Sequence, residues 1–162
     1  MTEGTMSETA TENAAENVTE YVTALIGEQL FGLPISRVQD VFMLDRLTRV
    51  PLAPPEIAGV LNLRGRIVTA IDMRSRLGLG KRENAGRPMA IGIEYNGESY
   101  GLLIDTIGEV LKVADDTREA NPVNLDVRLA RVSAGVHQLD GQLLVVLDVD
   151  RVLDRSAEAM AA

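Results

Sequence analysis

Two segments of the chain share a pattern in which apolar runs flank a tight corner and end near an aspartate. The first covers residues 59–74 and turns at Gly65, and the second covers residues 135–149 and turns at Gly141. Glycine adopts a positive φ without a Cβ clash, which suits the corner of a tight turn. Each pattern therefore predicts a β-strand, a tight turn and a second β-strand.

Two further hairpins are predicted, one before each of these segments. The first runs from Tyr21 through Gly27, and the second is centred on Asn96-Gly97. After each of them, apolar residues recur every three or four positions, which predicts a short amphipathic helix. The first helical segment holds Ile35, Val38 and Val41 or Phe42, and the second holds Ile104, Ile107 and Val110.

The order of these elements repeats along the chain. Residues 31–41 align with residues 100–110 at an offset of 69, and residues 59–77 align with residues 135–153 at an offset of 76. The second alignment keeps six identical residues across nineteen positions. Two copies of this order predict two related β-units, each closed into a barrel that has no exposed edges. Because each unit is small, we expect the two to share an apolar seam.

The composition excludes several kinds of chemistry. The chain has no cysteine and a single histidine, His137, which excludes disulfides, thiolate metal sites, a cysteine nucleophile and any mechanism with two imidazoles. No phosphate-binding loop, dinucleotide fingerprint or Gly-x-Ser-x-Gly motif is found. His137 has no identifiable nucleophile or orienting acid. We therefore expect no enzyme, no cofactor and no metal site.

The two ends of the chain are predicted to lie outside the folded domain. Residues 1–17 contain four glutamates and no basic residue, which predicts a disordered acidic tail. Residues 156–162 are predicted to form a loose C-terminal tail, which leaves the folded domain at 18–155. The first residues lack the basic and apolar regions of a signal peptide, so we expect none there, and no apolar stretch reaches membrane-spanning length. We expect a cytoplasmic protein with no direct membrane insertion.

The net charge of −8 conceals a basic segment, since residues 37–87 hold ten basic and five acidic residues. Small β-barrels often bind nucleic acid, so a nucleic-acid-binding barrel is one hypothesis. Single-strand binders use aromatic stacking platforms, but this segment has one aromatic residue, Phe42, and the whole chain is acidic. Protein binding is the favoured alternative, because an arginine at the Arg64 corner can pair bidentately with a carboxylate.

These residues closely resemble the CheW family of bacterial chemotaxis coupling proteins. The resemblance covers about residues 18–155, and its most specific part is Asn62-Leu63-Arg64-Gly65 followed by Asp72-x-Arg74. The other matching segments are residues 21–26, 31–41 and 100–105 and the hairpin that begins at Gly135.

The resemblance implies a mainly β fold of two intertwined five-stranded SH3-like barrels. It also implies a non-enzymatic adaptor that couples transmembrane chemoreceptors to the histidine kinase CheA. In this family the receptor's cytoplasmic hairpin tip docks between the subdomains, and the regulatory domain of the kinase pairs with the adaptor barrel to barrel. Such a protein is recruited from the cytoplasm to membrane-associated receptor arrays. An adaptor of another, non-chemotaxis signalling array is the alternative within this class.

The resemblance also assigns receptor- or kinase-binding positions. They are Val38, Asp40, Gly59, Asn62, Leu63, Arg64, Gly65, Gly101 and Gly135. The glycines are expected to act by preserving backbone shape. Asp40 stands where the family usually has glutamate, which shortens the reach of its carboxylate by one methylene.

Overall fold

The computed structural model describes residues 17–80 and 88–154, and these residues form ten β-strands in two five-stranded sheets. The strands are β1 (Val18–Ile26), β2 (Gln29–Pro34), β3 (Asp40–Met43), β4 (Ile57–Leu63), β5 (Arg66–Asp72), β6 (Met89–Tyr95), β7 (Glu98–Ile104), β8 (Thr106–Ala114), β9 (Ser133–Leu139) and β10 (Gln142–Leu147). The short helices are α1 (Met73–Arg76), α2 (Val127–Val132) and α3 (149–154), with 3₁₀ turns at Ile35–Arg37 and Asp115–Thr117.

One sheet has the order β8-β1-β2-β10-β9 and is called barrel 1, and the other has the order β3-β6-β7-β5-β4 and is called barrel 2. The predicted mainly β architecture of two five-stranded barrels is confirmed. The predicted tails fall outside the described residues, apart from Asn17. Among residues 17–80 and 88–154, no helix is long and apolar enough to cross a membrane.

Equivalent strands of the two barrels pair in the same register. Strands β2 and β10 run parallel with Leu30 opposite Leu144, and strands β7 and β5 run parallel with Ser99 opposite Val68. These positions are related by the offsets of 69 and 76 found in the sequence. The internal repeat is therefore a repeat of strand pairing as well as of residues.

Each barrel combines strands from both copies of the repeat. Barrel 1 joins β1 and β2 of the first copy to β8, β9 and β10 of the second, and barrel 2 joins the remaining five strands. The chain passes from barrel 1 to barrel 2 through Ile35–Arg37 and returns at Asp105. The repeat predicts two related units but not this exchange, because it identifies equivalent segments without showing which segments pair.

Both predicted amphipathic helices are wrong, since the first is reduced to a single 3₁₀ turn and the second is absent. Only Ile35–Arg37 is helical in the first segment, and Val41 and Phe42 belong to β3, which pairs with β6. In the second segment Ile107 and Val110 lie in β8, which pairs with β1. A short run of apolar residues three positions apart does not separate helix from strand, so pairing with a distant strand decides the outcome.

The buried core is continuous across the two barrels. One cluster of buried side chains contains Phe31 and Leu33 from barrel 1 together with Ile91 and Leu102 from barrel 2. The expected apolar seam between the units is therefore present. Because the strands are also exchanged, neither barrel can separate from the other without exposing this core.

Asp105 connects the barrels where the chain returns to barrel 1. Its carboxylate accepts hydrogen bonds from Nε and Nη2 of Arg74, at 2.9 and 2.7 Å, and from the backbone N–H of Gly27, at 2.8 Å. Asp72 caps the N-terminus of α1 and so helps to place Arg74. The ion pair is largely buried, since the side chains of Arg74 and Asp105 are 23% and 14% exposed.

Candidate functional site: a charged hairpin tip on barrel 2

The β4–β5 hairpin presents Arg64 at its tip. Leu63 and Arg66 form the last strand pair, so Arg64 and Gly65 make a two-residue turn. Their φ angles are 54° and 82°, as in a type I′ turn, and the predicted positive φ at Gly65 is confirmed. The side chain of Asn62 accepts a hydrogen bond from the Gly65 N–H at 2.9 Å. Local hydrogen bonding therefore orders the corner that carries Arg64.

Asp40 faces this tip from β3, where it is the first residue and lies opposite Gly92. The sequence predicts that Asp40 shares a helical turn with Val38. In the structure Asp40 is instead a strand residue. A Cβ at Gly92 would collide with the Asp40 carboxylate, so the glycine leaves room for it. Nη1 of Arg64 donates a hydrogen bond to Oδ2 of Asp40 at 3.1 Å. The fold thus joins two predicted site residues whose pairing the sequence does not indicate.

The Asp40–Arg64 pair is more suited to positioning Arg64 than to stabilising the fold. The Arg64 side chain is 76% exposed and the Asp40 side chain is 27% exposed. An exposed ion pair of this kind contributes about 0–1 kcal/mol to stability. Within the described residues Arg64 bonds only to Asp40, and a guanidinium has five N–H donors. The remaining donors can therefore bind a carboxylate of a partner protein.

A surface cavity of about 300 Å³ lies beside the ion pair. Val68 and Tyr100 form its buried part, and Leu63 and Phe42 are half-buried beside them. Burial and a hydrogen bond to Glu98 raise the pKa of Tyr100 to about 12, so its hydroxyl stays protonated and donates to Glu98 at 3.0 Å. The cavity therefore combines an apolar, partly aromatic base with a charged edge.

Several residues that line this cavity were not predicted as site residues. They are Gln39, Phe42, Arg66, Val68, Gly92, Ser99 and Tyr100. They come from β3, β5, β6 and β7 or from the residue just before β3, and only strand pairing brings them together. A short motif such as Asn-Leu-Arg-Gly therefore identifies the hairpin tip but not the wall that faces it.

Two other predicted positions, Gly101 and Val38, lie in different parts of the fold. Gly101 lies in β7, where a Cβ would stand 3.4 Å from ring and methyl carbons of Phe42 and Val68. Val38 follows the 3₁₀ turn, donates its N–H to the Ile35 carbonyl at 3.1 Å and packs half-buried against the core. Gly101 thus lies beneath the cavity, whereas Val38 lies at the crossing between the barrels.

Gly59 and Gly135 lie away from the tip, at equivalent positions of the two barrels. Gly59 has a φ of 152°, and a Cβ there would collide with the Thr48 carbonyl oxygen. Gly135 has a φ of 136°, and a Cβ there would stand 2.9 Å from the Glu119 carbonyl oxygen. Both glycines make room for a crossing segment that forms an isolated bridge with the next strand residue. Their geometry supports a role in backbone shape.

We expect Gly59→Ala to lower the free energy of unfolding by about 2–3 kcal/mol, because it adds both a backbone strain and a collision with Thr48. The control is Gly65→Ala, which adds strain at positive φ but meets no atom within 4 Å. Its cost should be about 1 kcal/mol. Urea unfolding measures both values, and equal losses would show that the Thr48 contact is unimportant.

His137, the single histidine, is buried on barrel 1 and is 1% exposed. The Thr117 hydroxyl donates to the Ala114 carbonyl at 2.8 Å, so it must accept from Nδ1–H of His137, 3.1 Å away. Nε2 is then an unprotonated, buried atom with no hydrogen-bond partner. Burial lowers the pKa of His137, and the charge of Arg118 lowers it further, against smaller opposing effects of Asp115, Thr117 and Glu119.

This environment predicts an acid-sensitive stability. His137 binds a proton less readily in the folded chain than in the unfolded chain. The free energy of unfolding therefore decreases as the pH falls below the unfolded pKa of about 6.5. A difference of one bound proton changes the free energy of unfolding by at most about 1.4 kcal/mol per pH unit. We expect His137→Leu, which installs the residue found at Leu61 in the first repeat, to flatten the stability profile between about pH 7 and pH 5. Urea titrations across that range measure it, and an unchanged slope would contradict the prediction.

The exchanged barrels, the exposed arginine tip and the shallow cavity define a two-barrel binding module. In the described ranges, 17–80 and 88–154, no group of three or more His, Asp or Glu residues could hold a metal ion. A shallow cavity with a charged edge is typical of a protein-binding surface.

Comparisons with known proteins agree with this class. The family model described as "CheW-like domain" matches residues 20–157. The chemotaxis protein CheW of Rhizobium meliloti is 28% identical over 127 residues, which is 78% of this chain and 82% of that protein. The CheW of Bacillus subtilis is 26% identical over 137 residues, which is 85% of this chain and 88% of that protein.

The crystal structure of the scaffolding protein TtCheW from Thermoanaerobacter tengcongensis superposes with a TM-score of 0.72 at 29% identity, covering 80% of this chain and 83% of that one. The chain belongs to the CheW-like domain family, and it is a chemotaxis adaptor. The resemblance drawn from the sequence is confirmed. The nucleic-acid hypothesis gains no support from these comparisons.

Proposed function

We propose that the chain is a non-enzymatic scaffold that holds a CheA-type histidine kinase and transmembrane chemoreceptors in one assembly. Its partners are the regulatory domain of the kinase and the cytoplasmic hairpin tip of the receptors. These partners recruit the protein to membrane-associated receptor arrays. The observation that carries this proposal is the exposed Arg64 tip, held by Asp40 beside a shallow cavity.

The proposed binding residues fall into two groups. Asp40, Leu63 and Arg64 offer side chains to a partner, because they line the cavity or its edge. The others act through the backbone or the barrel crossing, and they are Val38, Gly59, Asn62, Gly65, Gly101 and Gly135. A partner that brings a carboxylate to Arg64 and an apolar side chain to the cavity would match both features.

Capture from native cells tests the proposal. The tagged chain is incubated with the solubilised membranes and cytosol of its own host, and the bound proteins are identified by mass spectrometry. We expect chemoreceptors and a histidine kinase to be retained together. Retention of neither, or of nucleic acid in their place, would overturn the proposal. Retention of the kinase with other membrane receptors would support an adaptor of a different signalling array.

A further inference from the structure

Four exposed arginines surround the outer side of the β4–β5 hairpin, and we call them the arginine rim. They are Arg46, Arg49, Arg64 and Arg66. Arg64 lies in the turn at the hairpin tip, and Arg66 is the first residue after the turn. Arg46 lies two residues before Thr48 and Arg49 directly follows it, and the Thr48 backbone forms an antiparallel bridge with Val60 of β4. The rim therefore follows one edge of barrel 2.

Most of the positive charge on this rim is not neutralised. Within the described residues, the side chains of Arg46, Arg49 and Arg66 form no ion pair or hydrogen bond, and Arg64 shares the partly exposed Asp40. Two other arginines of the basic segment differ, since Arg37 pairs with Asp150 and Arg74 pairs with Asp105. The arginine rim is thus a cationic surface that is open to an acidic segment.

The same chain supplies such a segment. Residues 1–16 lie outside the described part of the structure, and they carry Glu3, Glu8, Glu12 and Glu16 with no lysine or arginine. They join the fold at Asn17, whose carbonyl accepts the N–H of Asp115 on barrel 1. We propose that residues 1–16 bind the arginine rim of barrel 2 through these glutamates.

Reach and local charge both favour this contact. Sixteen residues span at most about 55 Å when extended, whereas a domain of this size has a radius of gyration of only about 14 Å. The surface around Asn17 carries Glu20, Asp115 and Asp116, with Lys112 and Arg118 as basic neighbours. Because the acids outnumber the basic residues there, the glutamates of residues 1–16 are attracted less to this surface than to the arginine rim, where the one paired acid among the described residues is Asp40.

Because residues 1–16 are tethered to the fold, weak ion pairs are sufficient for them to bind the arginine rim. A segment joined to the same fold has an effective concentration in the millimolar range, so several exposed Glu–Arg pairs are populated together without high affinity. The contact is screened by salt, because the Debye length falls from about 30 Å at 0.01 M to about 3 Å at 1 M. The segment would cover Arg64, so an acidic partner would have to displace it.

The second barrel provides a matched control. The hairpin equivalent to the Arg64 tip carries Asp140 and Gln142 where the first carries Arg64 and Arg66. The glutamates of residues 1–16 should avoid that tip. A difference between the amides of Gly65 and Gly141 therefore reports charge-specific binding, since both glycines occupy the same place in their turns.

The test uses the full chain, which contains no cysteine. Ser7→Cys therefore introduces a unique site for a nitroxide spin label, and ¹⁵N spectra record the broadening of each amide signal. At about 0.01 M salt, the Gly65 signal should lose more than half of its intensity, whereas the Gly141 signal should be nearly unaffected. About 1 M salt should restore the Gly65 signal.

Two variants that remove charged side chains, one in residues 1–16 and one on the arginine rim, complete the experiment. Replacing Glu3, Glu8, Glu12 and Glu16 with glutamine should restore the Gly65 signal at low salt, and so should the double variant Arg46→Gln and Arg66→Gln. Equal broadening at Gly65 and Gly141, no broadening at either, or broadening that survives high salt or the glutamine variants would overturn the proposal. This readout needs no kinase or receptor, so it fails or succeeds independently of the proposed function.

Discussion

Asp105→Ala is expected to lower the free energy of unfolding by about 3 kcal/mol, because it leaves a largely buried Arg74 without its carboxylate. The substitution also removes the acceptor of the Gly27 N–H, so contacts to both barrels are lost at once. A domain of this kind has a total stability of about 5–15 kcal/mol. The loss is therefore a large fraction of what holds the fold together.

Urea unfolding followed by circular dichroism measures this loss, and Asp40→Ala is the control. Asp40 also pairs with an arginine, but that pair is exposed, so its removal should cost less than about 1 kcal/mol. Because the core is shared and the strands are exchanged, each variant should still unfold in a single transition. Similar losses for Asp105→Ala and Asp40→Ala would contradict the role assigned to the Asp105 contact, and two transitions would contradict the interlocked core.

Arg64→Ala is expected to weaken binding to the kinase regulatory domain or to the receptor tip by about 10- to 100-fold. This estimate follows from the loss of a charge-assisted hydrogen bond worth about 1.5–3 kcal/mol. The unfolding midpoint should be unchanged, because the side chain is exposed and its ion pair contributes little to folding. Arg64→Lys should recover only part of the affinity, since an ammonium lacks the planar fork of a guanidinium.

Calorimetric titration with each purified partner measures the two dissociation constants separately. The control is Asp140→Ala, which changes the tip of the equivalent hairpin on barrel 1 and should leave the binding that depends on Arg64 unaltered. If Arg64→Ala leaves both dissociation constants unchanged, Arg64 has no binding role. If Asp140→Ala weakens binding as much as Arg64→Ala does, the binding role is not specific to the Arg64 tip.

The parts of the fold that were predictable from the sequence are those that depend on local interactions. The turn at Arg64-Gly65 and the turn at Asn96-Gly97 need positive φ angles, which glycine and asparagine adopt readily, whereas the positive φ of Arg64 is set by the turn itself. The repeat was also visible, because identical residues mark equivalent positions of β4, β5, β9 and β10. Local turn chemistry and internal similarity therefore predicted four hairpins and two related units.

The parts that were not predictable depend on distant partners. Strand β3 forms because Asp40 to Met43 pair with β6, and strand β8 forms because it pairs with β1, although both segments have helical apolar spacing. The exchange of strands between barrels is equally nonlocal. The same reason explains the site, since the Arg64 tip could be predicted, whereas its pairing with Asp40 and the cavity wall required the assembled sheet.

A reconstitution tests whether this chain joins a histidine kinase to chemoreceptors, as we propose. Receptor-bearing membranes, purified kinase and the purified chain are mixed, and the kinase that sediments with the membranes is quantified. We expect the kinase to sediment in proportion to added chain, and we expect Arg64→Ala but not Asp140→Ala to lower this amount. Equal sedimentation of the kinase with and without the chain would contradict the proposal.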